Sequence, residues 1–286
     1  MSESLSVIAN VAILTFVLTS MAALGFSLTV GQISKPLSDF RLVGFGLVAN
    51  FALAPAAAWG VAGLLGLSDS LTLGLLLLGT AAGAPFLPKL ASIAKGDVAY
   101  SVGLMVVLMT VTVAYIPLVL VPLVDGVEVA AWDIAQPLIF FMLMPLLIAL
   151  LVRTRYPDAA RLGPPLGQVS TTTLAIGAVV ALGIVLPDLI DAFGTGAFLA
   201  AVLFIALSVS IGYLLGGSMR ETRLVTALGT GQRNVSAALL IATTSFGDDA
   251  EVLVMVMVGA ALMLAILMPL SAELGRRAPQ SGAVAR

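Results

Sequence analysis

Long apolar stretches alternate with short polar ones from one end of the chain to the other. Apolar runs lie near 5–30, 42–66, 71–94, 98–124, 134–152, 165–187, 197–216, 224–245 and 251–271. Most of these are long enough for a helix that crosses a hydrocarbon core of about 30 Å, which takes about 20 apolar residues. Glycine, proline, serine and charged residues gather between the runs, as at Leu67-Ser68-Asp69-Ser70 and Lys95-Gly96-Asp97, which is the composition of loops. The pattern predicts an all-α polytopic membrane protein of nine transmembrane helices. The opening Met1-Ser2-Glu3-Ser4 has no basic stretch and reads as the start of the first span.

Charge tests this count, because alternate loops must share one side of the membrane. The first, third, fifth and seventh loops and the C-terminal tail hold Lys35, Arg41, Lys95, Arg153, Arg155, Arg161, Arg220, Arg223, Arg276, Arg277 and Arg286, which is 11 of the 13 basic residues. The other loops and the N-terminus hold none, and carry Glu3, Asp69, Asp125, Glu128, Asp133, Asp188, Asp191, Asp248, Asp249 and Glu251. Basic loops stay cytoplasmic. The chain is therefore expected to be a multi-pass protein of the plasma membrane, N-terminus outside and C-terminus in the cytoplasm.

Composition narrows the chemistry. Of the 286 residues 60% are hydrophobic and 10% charged, and mean hydropathy is +1.15; a soluble domain has about 25% charged residues. Cysteine and histidine are absent. Disulfides, thiolate and imidazole metal sites, thiol nucleophiles, cysteine-dependent arsenite transport and histidine acid–base catalysis are thereby excluded. All 15 acidic residues fall in predicted loops or termini, so an intramembrane enzyme is the weakest reading. No cofactor, metal or nucleic-acid partner is expected.

Two basic residues, Lys89 and Arg233, lie inside apolar runs, where a basic group costs roughly 2.5–3.5 kcal/mol at mid-membrane. Each sits where a helix should break. Pro85 and Pro88 precede Lys89 and remove two backbone donors; Gly229, Gly231 and a run of polar side chains surround Arg233. A proline kink and a snorkelling lysine would explain either feature alone. Yet the breaks occupy matching places in spans 1–4 and spans 6–9, which run in opposite directions. Interrupted helices at corresponding positions of inverted repeats mark a transporter's binding site.

At these breaks the chain resembles the bile acid:sodium symporter family. The resemblance runs through Gly46-Leu47-Val48-Ala49-Asn50-Phe51-Ala52-Leu53-Ala54-Pro55, Ala94-Lys95-Gly96-Asp97-Val98-Ala99-Tyr100-Ser101-Val102 and Gly231-Gln232-Arg233-Asn234. It implies inverted repeats with two broken, crossing helices, divided into a panel (1–41 and 134–187) and a core (42–124 and 197–271), with 272–286 a cytoplasmic tail and the family's usual first helix missing. It also implies a sodium site that this chain has largely lost. Leu87 and Pro88 stand at the family's Ser-Asn pair, Gly229 at its glutamate, Arg233 at the glutamine of its Gln-Asn pair, and Met105 at a hydroxyl ligand. Asn234 and Ser101 keep their residue types, and Asn50 stands where a glutamine is often found.

The resulting expectation is a carrier of a small organic anion, working by alternating access. Lys89 and Arg233 would replace two sodium ions against the carbonyl ends of the half-helices. Thr230, Gln232, Asn234 and Ser236 would face the substrate, although the first, second and fourth could equally serve helix–helix hydrogen bonds. Ser101, Asn50, Pro85, Pro88, Gly229 and Gly231 would support the site. The rivals are a proton-coupled carrier using Lys89, and a non-transporting receptor or facilitator.

Overall fold

The structure is a computed structural model that describes residues 2–34, 39–123, 131–173, 175–176, 180, 194–246 and 249–278. Lys35, Asp125, Glu128, Asp188, Asp191, Asp248, Arg286 and nearly half of the sixth predicted span lie outside these residues. Among the described residues there is no strand. Among the described residues five helices are long and apolar enough to cross a membrane: Phe40–Leu65, Val98–Val119, Ala135–Arg155, Ala197–Leu215 and Ala250–Arg276. The third and eighth predicted spans each fall into two pieces too short to cross alone.

In chain order the helices are α1 (Ser2–Ser27), α2 (Val30–Ser34), α3 (Phe40–Leu65), α4 (Asp69–Thr80), α5 (Leu87–Ile93) and α6 (Val98–Leu123). Next is α7, in which Ala131–Pro137 passes through a wide π turn, Leu138–Leu143, into Met144–Arg155. A 3-10 turn, Pro157–Leu162, leads to α8, helical over 163–173. The last four are α9 (Ala197–Leu215), α10 (Arg220–Gly231), α11 (Val235–Ser245) and α12 (Ala250–Arg276). A second π turn, Ala49–Leu53, interrupts α3.

Polar residues between the apolar runs start the helices. Ser68 caps α4 by accepting from the Leu71 amide at 3.3 Å, and its hydroxyl donates to Glu251 at 2.6 Å. Asp249 caps α12 through the amides of Glu251 and Val252, and accepts from the Ser70 hydroxyl at 2.6 Å. Reciprocal caps of this kind satisfy orphan amides and tie the starts of α4 and α12 together. Along their length the two helices pack closely: a side chain at Gly74 would strike Met255, and one at Gly259 would strike Leu78.

The packing has two centres. Helix α9 lies along α10, α3 and α12, and α4 lies between α3 and α12. Separately, α1 runs along α7, with Gly25 against Leu146 and Ala149 and the start of α8 against Ser27. The two assemblies meet where α6 and α11 touch the first part of α7 and where α1 touches α11. Helix α5 packs against α6, α10 and α12.

Candidate functional site

Both predicted breaks are present. Helix α4 stops at Thr80 and α5 starts at Leu87, with Pro88 in its first turn, where a missing amide donor costs nothing. Between them Gly83 has φ +79°, and a side chain there would run into the Met109 backbone. Helix α10 stops at Gly231 and α11 starts at Val235. The two breaks touch each other. The Asn234 amide donates to the Ala81 carbonyl at 2.8 Å, and its side-chain nitrogen donates to the Gly83 carbonyl at 3.2 Å. The Asn234 side-chain oxygen caps α11 by accepting from the Ala237 amide at 3.2 Å.

Breaking a helix strands carbonyls at its C-terminal end. The Ala82 amide, which would have served Leu78, donates instead to the Thr112 hydroxyl at 3.0 Å; that hydroxyl donates back to the Ala82 carbonyl at 3.1 Å. The Asn234 amide, which would have served Thr230, is taken by Ala81. Arg233 fills this gap. Its side chain is fully buried. Nε donates to the Leu78 carbonyl at 2.9 Å, one terminal nitrogen to Asn50 Oδ1 at 2.7 Å and to the Thr230 carbonyl at 3.2 Å, and the other to the Gly79 carbonyl at 2.6 Å and the Asn50 carbonyl at 3.4 Å. One guanidinium thus bridges the C-terminal ends of both α4 and α10. Hydrogen bonds from a charged donor contribute about 1.5–3 kcal/mol each; these five satisfy the guanidinium N–H groups and leave its net charge in place.

Asn50 is the one side-chain acceptor among these, and the π turn places it. A π turn frees backbone carbonyls from their helical partners: that of Asn50 accepts from Arg233, and that of Phe51 accepts from the Tyr115 hydroxyl. The Phe51 and Tyr115 rings lie 4.7 Å apart. The Asn50 carboxamide nitrogen donates to the Gly46 carbonyl at 2.9 Å and to the Thr230 hydroxyl at 3.1 Å.

Several expected site residues have other surroundings. Lys89 is exposed, on the first turn of α5; its backbone amide donates to the Phe86 carbonyl at 3.1 Å, and its side chain makes no hydrogen bond or ion pair among the described residues. The expectation that it sits against half-helix carbonyls is corrected: the proline at position 88 starts a new helix, and Lys89 falls at that helix's N-terminal end. Thr230 is turned into the interior, accepting from Asn50 and donating to the Thr226 carbonyl at 2.8 Å, so its hydroxyl supports the arginine cage. Ser101 is buried but bonds back to Val98 in its own helix. Gln232 and Ser236 are buried at the crossing, and the Gln232 side-chain oxygen has no partner among the described residues. Gly229 faces Leu87, and a side chain at Gly231 would strike Val209. The Asn234 side chain lies 3.9 Å from the Met142 sulfur in the π turn of α7, where the two packing centres meet.

Sequence reading gave Asn50 only a supporting place, and it missed Tyr115. The two π turns leave no composition signal, so only coordinates reveal which carbonyls they free.

Residues 12–192 match the model of the sodium bile acid symporter family. A similar protein is the probable sodium/metabolite cotransporter BASS3, chloroplastic, of Arabidopsis thaliana, 27% identical over 246 residues, covering 81% of this chain and 56% of that protein. The chain spans a little over half the length of this curated relative.

Proposed function

The chain belongs to the sodium bile acid symporter family, and from that premise we propose that it is a secondary carrier of a small organic anion that works without sodium. The observation that carries the reading is Arg233, whose guanidinium occupies the space between the carbonyl ends of α4 and α10. A positive charge there offsets the negative ends of two helix dipoles, as a bound cation would. Five oxygens that could ligate a metal ion are already engaged by the side chain, and a covalently held charge cannot follow an ion gradient. One cation, not the pair expected with Lys89, takes this role.

The substrate region is the panel-facing side of the crossing, at Asn234, Gln232 and Ser236. The positive N-terminal end of α11 and Arg233 behind it suit a carboxylate or sulfonate. Residues 42–124 and 197–271 move as a core against a panel of 1–41 and 134–187. The contacts between α11, α1 and the first part of α7 support a closed gate on one side of the crossing. The basic loops place the opposite side toward the cytoplasm, and the exposed Lys89 lies on that side, as an attractor for anions.

The test is uptake of labelled pyruvate, pantoate and taurocholate, in sodium and in potassium, into proteoliposomes preloaded with the same unlabelled anion. Equal uptake in the two salts, with counterflow, is the expected result. A sodium-dependent rise in uptake overturns sodium independence, and absence of flux for all three anions overturns the carrier in favour of a receptor.

A further inference from the structure

Four half-helix ends meet at the crossing. Helices α4 and α10 end there, and α5 and α11 begin there. Each end carries a partial charge of up to about half a unit, negative at a C-terminus and positive at an N-terminus. The two kinds offset each other, and Arg233 leaves the crossing with about one net positive charge. Its five acceptors are neutral: four backbone carbonyls and one carboxamide. No carboxylate is among them, and both ion pairs of the described residues belong to Glu273, near the end of α12.

A carrier passes through a state in which its site is sealed from water on both sides. A mobile cation can leave before the site returns unloaded; Arg233 cannot. The cost of an uncompensated basic group at mid-membrane corresponds to roughly a 100-fold slower return. A bound monoanion cancels the charge and lowers that barrier.

We propose that the fixed charge of Arg233 makes this protein an obligatory exchanger, which moves one organic monoanion inward for each one moved outward, with no net charge transferred. This rests on the carrier reading above and adds to it the mode of transport.

The experiment uses the full chain in proteoliposomes loaded with labelled pyruvate, pantoate or taurocholate. Efflux is compared with and without the same unlabelled anion outside. Efflux into anion-free buffer is expected to be slower by roughly 100-fold, and exchange is expected to be indifferent to a potassium–valinomycin membrane potential. Arg233→Lys, which keeps the charge, should retain the difference, and Arg233→Gln, which removes it, should bring the two rates together. Wild-type net efflux as fast as exchange overturns the proposal while leaving the carrier reading intact, and this outcome does not depend on either variant folding. A difference that persists in Arg233→Gln also overturns it, because charge is then not the cause. No flux of any of the three anions overturns the carrier reading and the exchanger with it.

Discussion

Replacing Arg233 by alanine should convert the arginine cage into a cation site. The substitution deletes the guanidinium donors and leaves the Leu78, Gly79, Thr230 and Asn50 carbonyls and the Asn50 carboxamide oxygen without them. Four of these acceptors, left unsatisfied at about 1–2 kcal/mol each, cost roughly 4–8 kcal/mol. Removing a buried basic group returns about 3 kcal/mol. The net loss is about 3 kcal/mol, or a melting temperature lower by about 6–12 °C at 2–4 °C per kcal/mol. Oxygens converging on a vacated positive centre are ligands for a hard cation. With a dissociation constant of about 10 mM, sodium at about 100 mM would restore RT ln 11, about 1.4 kcal/mol, or roughly 3–6 °C. The assay is thermal unfolding of the purified variant in sodium chloride and in choline chloride at equal ionic strength, choline being too large for the cage. Wild type should not respond to the exchange of salts. A variant that gains nothing from sodium, or a wild type that gains as much, refutes the idea that the guanidinium occupies a cation's place.

Three further outcomes follow from the same geometry. Asn50→Asp places a carboxylate 2.7 Å from the guanidinium; it should neutralise the fixed charge and weaken anion binding by at least about tenfold, about 1.4 kcal/mol, measured as the anion-induced thermal shift. Thr112→Val removes a hydroxyl that both donates to and accepts from Ala82; unpairing two buried backbone groups should cost about 2–4 kcal/mol in thermal unfolding, and a loss well below this would show that the break is held elsewhere. Because the chain has no cysteine, Lys89→Cys gives a single thiol, which an impermeant maleimide should label in inside-out vesicles and not in intact cells; labelling from the outer side alone would reverse the assigned orientation.

The linear sequence determined the class of the molecule. Apolar runs of membrane-spanning length, interrupted by prolines at 85 and 88 and glycines at 229 and 231, were enough to place both helix breaks, because the amide a proline lacks and the propensity a glycine lacks are local properties. A basic residue within an apolar run also announces itself, since its insertion cost demands a partner. What the sequence could not determine is where that partner lies. Lys89 and Arg233 are alike in residue class and in their place beside a break, yet one is exposed and the other fully buried. Arg233 draws its acceptors from chain segments more than 150 residues away, Leu78 and Gly79 at the end of one helix and Asn50 in a π turn of another. Stranded carbonyls are made by backbone geometry and not by residue type, so only the folding of the two breaks against each other decides which charge is enclosed and which is left open.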